Sequence, residues 1–331
     1  MNSPSSRHEV AKAQVGPLAV AIVQVAPIPL AMSAGLEALI EHVRPLADER
    51  VGLVAFGESF IGGYPHWFDR AAGAGLWLAP GAKSLHAILL REALFAGDPR
   101  LRPLQALVNA SGTLVSFGAH ERVRGSLFNT QFLIRPHAPP LIHRKLVPTH
   151  GERLLWGQGD GSTLGVHDAP WGRLGSLICW EHWMPLTRAA MHHCGETLHI
   201  AAWPTVCELH LVASRHYAFE GRSFVLAAAA VQTRADLLDG LERAGGNQDA
   251  RTLLETIPDE ALQQGGSAII GPDGCVLARA GSGAEILRAT VDLTQVEREL
   301  TTLDVDGHYS RPDIFRLAVD REARVGVADT K

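Results

Sequence analysis

The chain has 331 residues, 46% of them hydrophobic and 20% charged, with a formal net charge of −5 at pH 7. This is ordinary globular composition, long enough to bury a substantial core as one large domain or two small ones. The acidic balance and the absence of a Lys/Arg cluster argue against a phosphate-backbone footprint, so no nucleic-acid partner is expected and a small neutral substrate fits better.

In chain order, the polar stretch 1–15 is expected to be a disordered tail. The apolar run Gly16–Ala34 is broken by Gln24, Pro27 and Pro29, which speaks against a signal peptide or a membrane span. A buried strand, Leu18–Val25, followed by a proline-marked loop fits it better. Leu36–Glu49 has helical spacing, and Val51–Phe56 is a short apolar strand running into Gly57-Glu58. Leu114–His120 and Phe128–Arg135 read as a strand pair. Arg173–Ile178 is a buried strand running into Cys179, and His199–Ala202 and Phe224–Val231 continue the pattern. Arg234 to Gly266 reads as a helical or surface excursion. Ser267–Ile270 and Val276–Ala280 flank the turn Gly271-Pro272-Asp273-Gly274 as a hairpin, followed by a strand over Glu285–Asp292 and a short helix over Thr294–Thr302. Interleaved strands and helices predict an α/β fold, with one domain over 16–320 and a short tail over 321–331. Cysteines stand at 179, 194, 207 and 275 with no CxxC spacing, so no disulfide is expected and a reducing, cytoplasmic compartment is.

Two reactive side chains follow apolar strands directly: Glu58 after Val51–Phe56, and Cys179 after Leu174–Ile178. Carboxyl ends of strands are where α/β sheets gather ligands and reacting groups. Taken singly, each has a plain alternative. A cysteine after an apolar strand is most often inert core, Glu58 reads equally well as a loop acid, and Lys145, in His143–Arg153, reads as part of a solvated loop. Together they make one chemical device. An ammonium about 4 Å from a thiol is worth roughly 4 kcal/mol at an effective dielectric of about 20, or about three pH units toward thiolate before burial takes some back. A carboxylate in reach can accept the thiol proton and later activate water.

Four stretches carry a family resemblance. They are Phe56-Gly57-Glu58-Ser59-Phe60-Ile61-Gly62-Gly63-Tyr64-Pro65; His143–Gly161, with Lys145 and Glu152; Cys179-Trp180-Glu181-His182 with Met184-Pro185-Leu186; and Gly307-His308-Tyr309-Ser310-Arg311-Pro312-Asp313. Over residues from about 17 to about 317 the chain resembles the nitrilase (carbon–nitrogen hydrolase) superfamily. The last run resembles its true nitrilases and cyanide-degrading members rather than its amidases or carbamoylases.

The resemblance implies an αββα four-layer sandwich that pairs into a homodimer or a higher homo-oligomer. It implies Cys179 as nucleophile, Lys145 as electrostatic partner, Glu58 as general base and Glu152 as support for the lysine. It also implies hydrolysis of an organic nitrile to the acid and ammonia through a thioimidate and a thioester on Cys179, with no cofactor or metal. Tyr64 and Trp180 fall at positions that border the family's substrate pocket. With Trp67 and Trp203 they suggest an aromatic wall, and with Glu181-His182 a preference for arylaliphatic nitriles. Three departures stand out. Gly57 replaces the family's usual proline and is expected to loosen the turn carrying Glu58. Leu76–Leu101 matches poorly. The chain also ends soon after Asp313, which argues against long filaments. The rival readings are an amidase, carbamoylase or cyanide-converting enzyme on the same fold, a metal module using Cys179, His182, His192, His193 and Cys194, and a non-catalytic scaffold.

Overall fold

The computed structural model describes residues 16–324; the tail expected at 1–15, and residues 325–331, lie outside them. The strands are β1 (Pro17–Gln24), β2 (Leu53–Ala55), β3 (Leu114–Val123), β4 (Ser126–Ile134), β5 (Leu141–Arg144), β6 (Val166–Ala169) and β7 (Gly172–Ile178). They continue with β8 (Leu198–Ala202), β9 (Phe224–Ala228), β10 (Val231–Thr233), β11 (Ala261–Gln264), β12 (Ala268–Ile270), β13 (Val276–Arg279) and β14 (Glu285–Asp292). The helices are α1 (Met32–Asp48), α2 (Trp67–Arg70), α3 (Pro80–Glu92), α4 (Arg102–Ser111), α5 (Pro185–His193), α6 (Glu208–Gly221), α7 (Arg234–Arg243), α8 (Gln248–Glu255) and α9 (Thr294–Glu299).

Two six-stranded sheets result, ordered β14-β1-β2-β3-β4-β5 and β13-β12-β9-β8-β7-β6. Each has a parallel centre (β1-β2-β3 and β7-β8-β9) flanked by antiparallel strands. The alternation of side chains along a strand builds the layers. Leu18, Val20 and Ile22 of β1 meet Leu198, Ile200, Phe224 and Leu226 of the other sheet. Ala21 and Val23 point the opposite way, into a core shared with α1, α3 and α4. Leu177, Ala201 and Val225 face α5 and α6. The architecture is the expected αββα sandwich. Its central strands are buried on both faces, which is why they read as unbroken apolar runs.

Differences from the sequence reading fall at edges. Phe224–Val231 divides in two, because β9 ends at Ala228 and β10 leaves to pair with β11. The excursion 234–266 contains α7, α8 and β11. Leu76, Trp77 and Leu78 are exposed ahead of α3, which packs against α8.

His120 on β3 is fully buried. Its Nε2 donates to the Gly63 carbonyl (2.9 Å) and its Nδ1 accepts from Trp156 Nε1 (3.0 Å). Only the neutral ring makes both bonds, and burial holds its pKa down at about 4. The folded value lies below the ordinary 6.5, so this contribution is present above pH 6.5 and lost as pH falls toward 4. His66, lowered by burial to about 3, acts in the same direction. Denaturant titrations should therefore show stability falling between pH 6.5 and 4. His120→Gln, which can accept and donate without titrating, should reduce that fall by about 2–3 kcal/mol. An equal fall in wild type and variant would show that His120 does not titrate the fold.

Candidate active site

Three strand ends meet. Glu58 follows β2 through Phe56-Gly57, Lys145 follows β5, and Cys179 follows β7 from the opposite sheet. Two of these backbones are pinned: Glu58 N–H donates to the Trp203 carbonyl (3.1 Å), and Lys145 N–H donates to the Asn129 carbonyl (2.9 Å). The glutamate loop lies so close to β3 that a Cβ on Gly118 would stand 2.2 Å from Ser59 N. A Cβ on Gly57 would stand 2.8 Å from the Trp203 carbonyl oxygen. Gly57 therefore permits a close approach of the glutamate loop to the backbone of Trp203 and Ala229.

The Lys145 ammonium donates to Glu58 Oε1 (2.8 Å) and to both oxygens of Glu152 (2.9 and 2.7 Å). Glu152 is presented by the short turn His150–Leu154, where its carboxylate also accepts from Thr149 N–H (2.8 Å) and the Tyr64 hydroxyl (2.7 Å). Asn129 Nδ2 donates to Glu58 Oε1 (2.6 Å), while Glu58 Oε2 has no partner among the described residues. Glu58, Lys145 and Glu152 are all buried, and Cys179 is 3% exposed. A cavity of about 440 Å³ lies elsewhere, between the sheet edges beside Ser116, Gln131 and Ser176, and does not reach these residues.

Cys179 opens a 3₁₀ turn, Cys179–Trp183, with φ +54°, a conformation uncommon for a residue with a side chain. Glu181 fastens that turn to the lysine strand. Its carboxylate accepts from Ile178 N–H (2.6 Å), from Leu146 N–H (2.8 Å) and from His143 Nε2 (2.9 Å). The carbonyl of Thr163 faces His143 Nδ1 (3.2 Å), so both ring nitrogens face acceptors and the ring is held as a cation. Burial opposes that charge, but Glu181 raises the His143 pKa above 6.5.

Burial raises Glu58 to about 7, and Glu152 adds to the effect, while Lys145 and Asn129 oppose it. Burial also tends to lower Lys145, but the neighbouring Cys179, Glu58 and Glu152 together raise it, so the lysine remains an ammonium. The Cys179 thiol is pushed well above its ordinary value, first by burial and then by the negative charge of Glu58; Lys145 offsets only part. The shift toward thiolate that the ammonium supplies is thus outweighed by burial and by Glu58. The ammonium is already committed to two carboxylates, and the local charge seen by sulfur is not positive. The arrangement is a thiol beside a carboxylate that titrates near neutrality, suited to proton transfer concerted with attack.

The residues flagged by sequence fall into different places. Tyr64 points at Glu152. Trp180 is 54% exposed and lies edge-on to Trp183. Trp203, expected in a pocket wall, is instead core: it is 0% exposed, donates to Ser214 Oγ (3.0 Å) and packs on His182 and Trp183. Trp67 is also buried. Among the described residues no group of three or more His, Cys, Asp or Glu side chains is placed to hold a metal ion, and no helix is long and apolar enough to cross a membrane.

The model of the carbon-nitrogen hydrolase family matches residues 19–298. The chain is 37% identical over 310 residues to an aliphatic nitrilase of Sinorhizobium fredii, covering 93% of this chain and 97% of that one. It is 35% identical to nitrilase 2 of Arabidopsis thaliana, over 92% of this chain and 88% of the relative. This chain belongs to the nitrilase branch of the carbon-nitrogen hydrolase family. The fold agrees with solved members of the nitrilase superfamily. Nit3 of Saccharomyces cerevisiae superposes with a TM-score of 0.63 at 17% identity, over 88% of this chain and 96% of that one. An amidase from Nesterenkonia superposes with a TM-score of 0.58 at 14% identity, over 87% and 96%.

For this nitrilase-branch chain, the sequence reading missed Asn129 as a partner of Glu58 and did not give Glu181 and His143 their fastening role. The signal for Asn129 was present: Asn129-Thr130-Gln131 is a polar triplet inside an otherwise apolar strand. A base must be ionised to accept a proton, so kcat/KM should fall as pH drops through about 7, where Glu58 titrates. Asn129→Leu removes a hydrogen bond to the charged form, worth about 1.5–3 kcal/mol, and should move that limb upward by about one pH unit or more. A limb that stays in place in this variant would exclude Asn129 as the residue tuning Glu58.

Proposed function

We propose that the protein hydrolyses an organic nitrile to the carboxylic acid and ammonia through a covalent intermediate on Cys179. The observation that carries this reading is the buried cluster in which one ammonium, Lys145, is shared by Glu58 and Glu152, with the Cys179 thiol beside Glu58. Its relatives named as nitrilases support the choice of nitrile over amide. Sulfur attacks the nitrile carbon while the thiol proton passes through Glu58 to the nitrile nitrogen, giving a thioimidate. Water deprotonated by Glu58 adds to that carbon. The Lys145 ammonium balances the negative charge that develops, and ammonia leaves with the proton returned by Glu58. A thioester remains, and a second water releases the acid and restores the thiol. Glu152 keeps the lysine in place.

The substrate tail is assigned to the side of Trp180, whose half-open indole beside Trp183 suits an arylaliphatic nitrile. The near closure of the site around Cys179 favours a second reading, a slender aliphatic nitrile. We further assign residues 16–320 to one catalytic domain and the four free cysteines to a reducing, cytoplasmic compartment. A second copy of the chain is the partner this reading implies; such a contact would cover the exposed Leu186, Leu209, Val212 and Phe219 of α5 and α6.

Cys179→Ala should retain the circular dichroism of the wild type and lose turnover altogether, and intact-mass analysis should find a nitrile-derived adduct on the wild type alone. Turnover in that variant would sink the assignment. A panel of phenylacetonitrile, benzonitrile, a dinitrile, an aliphatic nitrile and cyanide reads the tail preference, and ammonia released from amides but not nitriles would favour an amidase.

A further inference from the structure

Behind the nucleophile turn runs a second buried polar chain that the proposed chemistry does not use. His182 Nδ1 lies 2.7 Å from the carbonyl oxygen of Cys179, and its Nε2 lies 3.0 Å from Nε2 of His199. His199 Nδ1 lies 2.5 Å from Glu196 Oε2, and the Tyr217 hydroxyl donates to Glu196 Oε1 (2.6 Å). All four side chains are buried. The rings are wedged together: Tyr217 stacks on His199 with centroids 4.0 Å apart, and His182 packs on Trp203 at 4.8 Å.

The protons can be counted. A carbonyl only accepts, so His182 carries its proton on Nδ1. Burial, with His199 adding to it, drives the His182 pKa well down, so the ring is neutral and its Nε2 accepts. The facing Nε2 of His199 must then donate. One more proton must lie between His199 Nδ1 and Glu196, either on the ring or on the carboxyl group. Burial pushes Glu196 up, but His199 outweighs it and holds the carboxyl below its ordinary range; with the proton on either partner, His199 Nε2 keeps its hydrogen. Burial and Glu196 raise Tyr217, so its hydroxyl keeps its hydrogen. The other charged neighbours are fixed by partners of their own. Arg188 donates to the His182 carbonyl (3.1 Å) and to Glu220 (2.7 Å), His192 also faces Glu220 (3.2 Å), and His143 is paired with Glu181.

We propose that Glu196 and His199 are positioning residues: through a continuous hydrogen-bond chain they fix the Nδ1–H form of His182, which holds the Cys179 carbonyl and so keeps the nucleophile in its left-handed turn. A turn at φ +54° persists only where its surroundings over-determine it, and this chain is one such restraint. If His199 Nε2 lost its hydrogen, two lone pairs would face each other across 3.0 Å. His182 would relieve that by moving its proton to Nε2, releasing the Cys179 carbonyl. The inference rests on Cys179 as the nucleophile, and its test is chosen to be independent of turnover.

The measurement is the rate at which iodoacetamide alkylates Cys179 in the folded protein, read by intact mass and peptide mapping. Glu196→Ala and His199→Phe should slow it roughly 10- to 100-fold and lower kcat by a similar factor with KM little changed, as expected when a reacting atom is displaced by about 1 Å. Glu196→Gln should restore near wild-type rates, because its amide N–H can donate to Nδ1 of a neutral His199 while its oxygen still accepts from Tyr217. In a His182→Phe background Glu196→Ala should slow alkylation no further, which a loss of stability alone would not produce. Wild-type alkylation in folded Glu196→Ala or His199→Phe overturns the inference, as does Glu196→Gln reacting as slowly as the alanine variant. Should Glu196→Ala fail to fold, His182→Phe carries the test alone: wild-type alkylation in it also overturns the chain's role. Retained turnover in Cys179→Ala would instead strike the nucleophile assignment and leave these alkylation rates interpretable.

Discussion

A single ammonium buried between two carboxylates sets the conditions for everything around it. Lys145 contacts Glu58 and Glu152 at 2.7–2.9 Å in a region closed to water. Removing an ion from water costs several kcal/mol, which only close pairing and further hydrogen bonds offset. Glu152 is well supplied, with the lysine, Tyr64 and Thr149 all donating to it. Glu58 shares the same ammonium, receives one amide from Asn129 and keeps one oxygen unpaired. Burial raises the pKa of Glu58 to about 7, and the neighbouring Glu152 carboxylate adds to that rise while Lys145 and Asn129 oppose it. Burial is likewise the first reason the Cys179 thiol is pushed up, with the charge of Glu58 adding to it.

This cluster exists only because the sandwich brings three strand ends together. β2 and β5 belong to one sheet and β7 to the other, and the two sheets are locked by the apolar layer between them. Glu181 adds a local fastening. One carboxylate, paired to the His143 cation, takes N–H bonds from the strand end before Cys179 and from the residue after Lys145. The distance between sulfur and ammonium is thereby set by a buried ion pair as well as by sheet packing. Glu181, although it lies within the nucleophile motif, acts by geometry rather than by proton transfer.

The state of the thiol decides what kind of catalyst this is. A free thiolate would attack without help, and the glutamate would matter only for water. A protonated thiol beside a carboxylate near neutrality makes Glu58 necessary from the first step. In the proposed reaction the proton taken from sulfur is then available to the substrate nitrogen, and Lys145 is left to meet charge as it appears on the substrate. Such a device serves nitriles and amides alike.

The sequence alone determined the α/β class, because central strands buried on both faces leave continuous apolar runs, and each break in hydrophobic period marks an element. Edge elements were less legible. β5 and β6 are four residues each with mixed polarity, and α6 exposes Leu209 and Val212 beside buried Leu211 and Ala213, so it carries no clean stripe. Glu58, Lys145, Glu152 and Cys179 were readable from their motifs. What only the tertiary structure decided was environment: that Asn129 serves Glu58, that Trp203 is core, that Gly57 lies against the Trp203 backbone, and that burial pushes the Cys179 thiol up. The reason is physical. Periodicity and turn chemistry are local properties of the chain, whereas a pKa or a hydrogen bond belongs to groups as far apart as Glu58 and Lys145, 87 positions along the chain, and it exists only once folding has closed that distance.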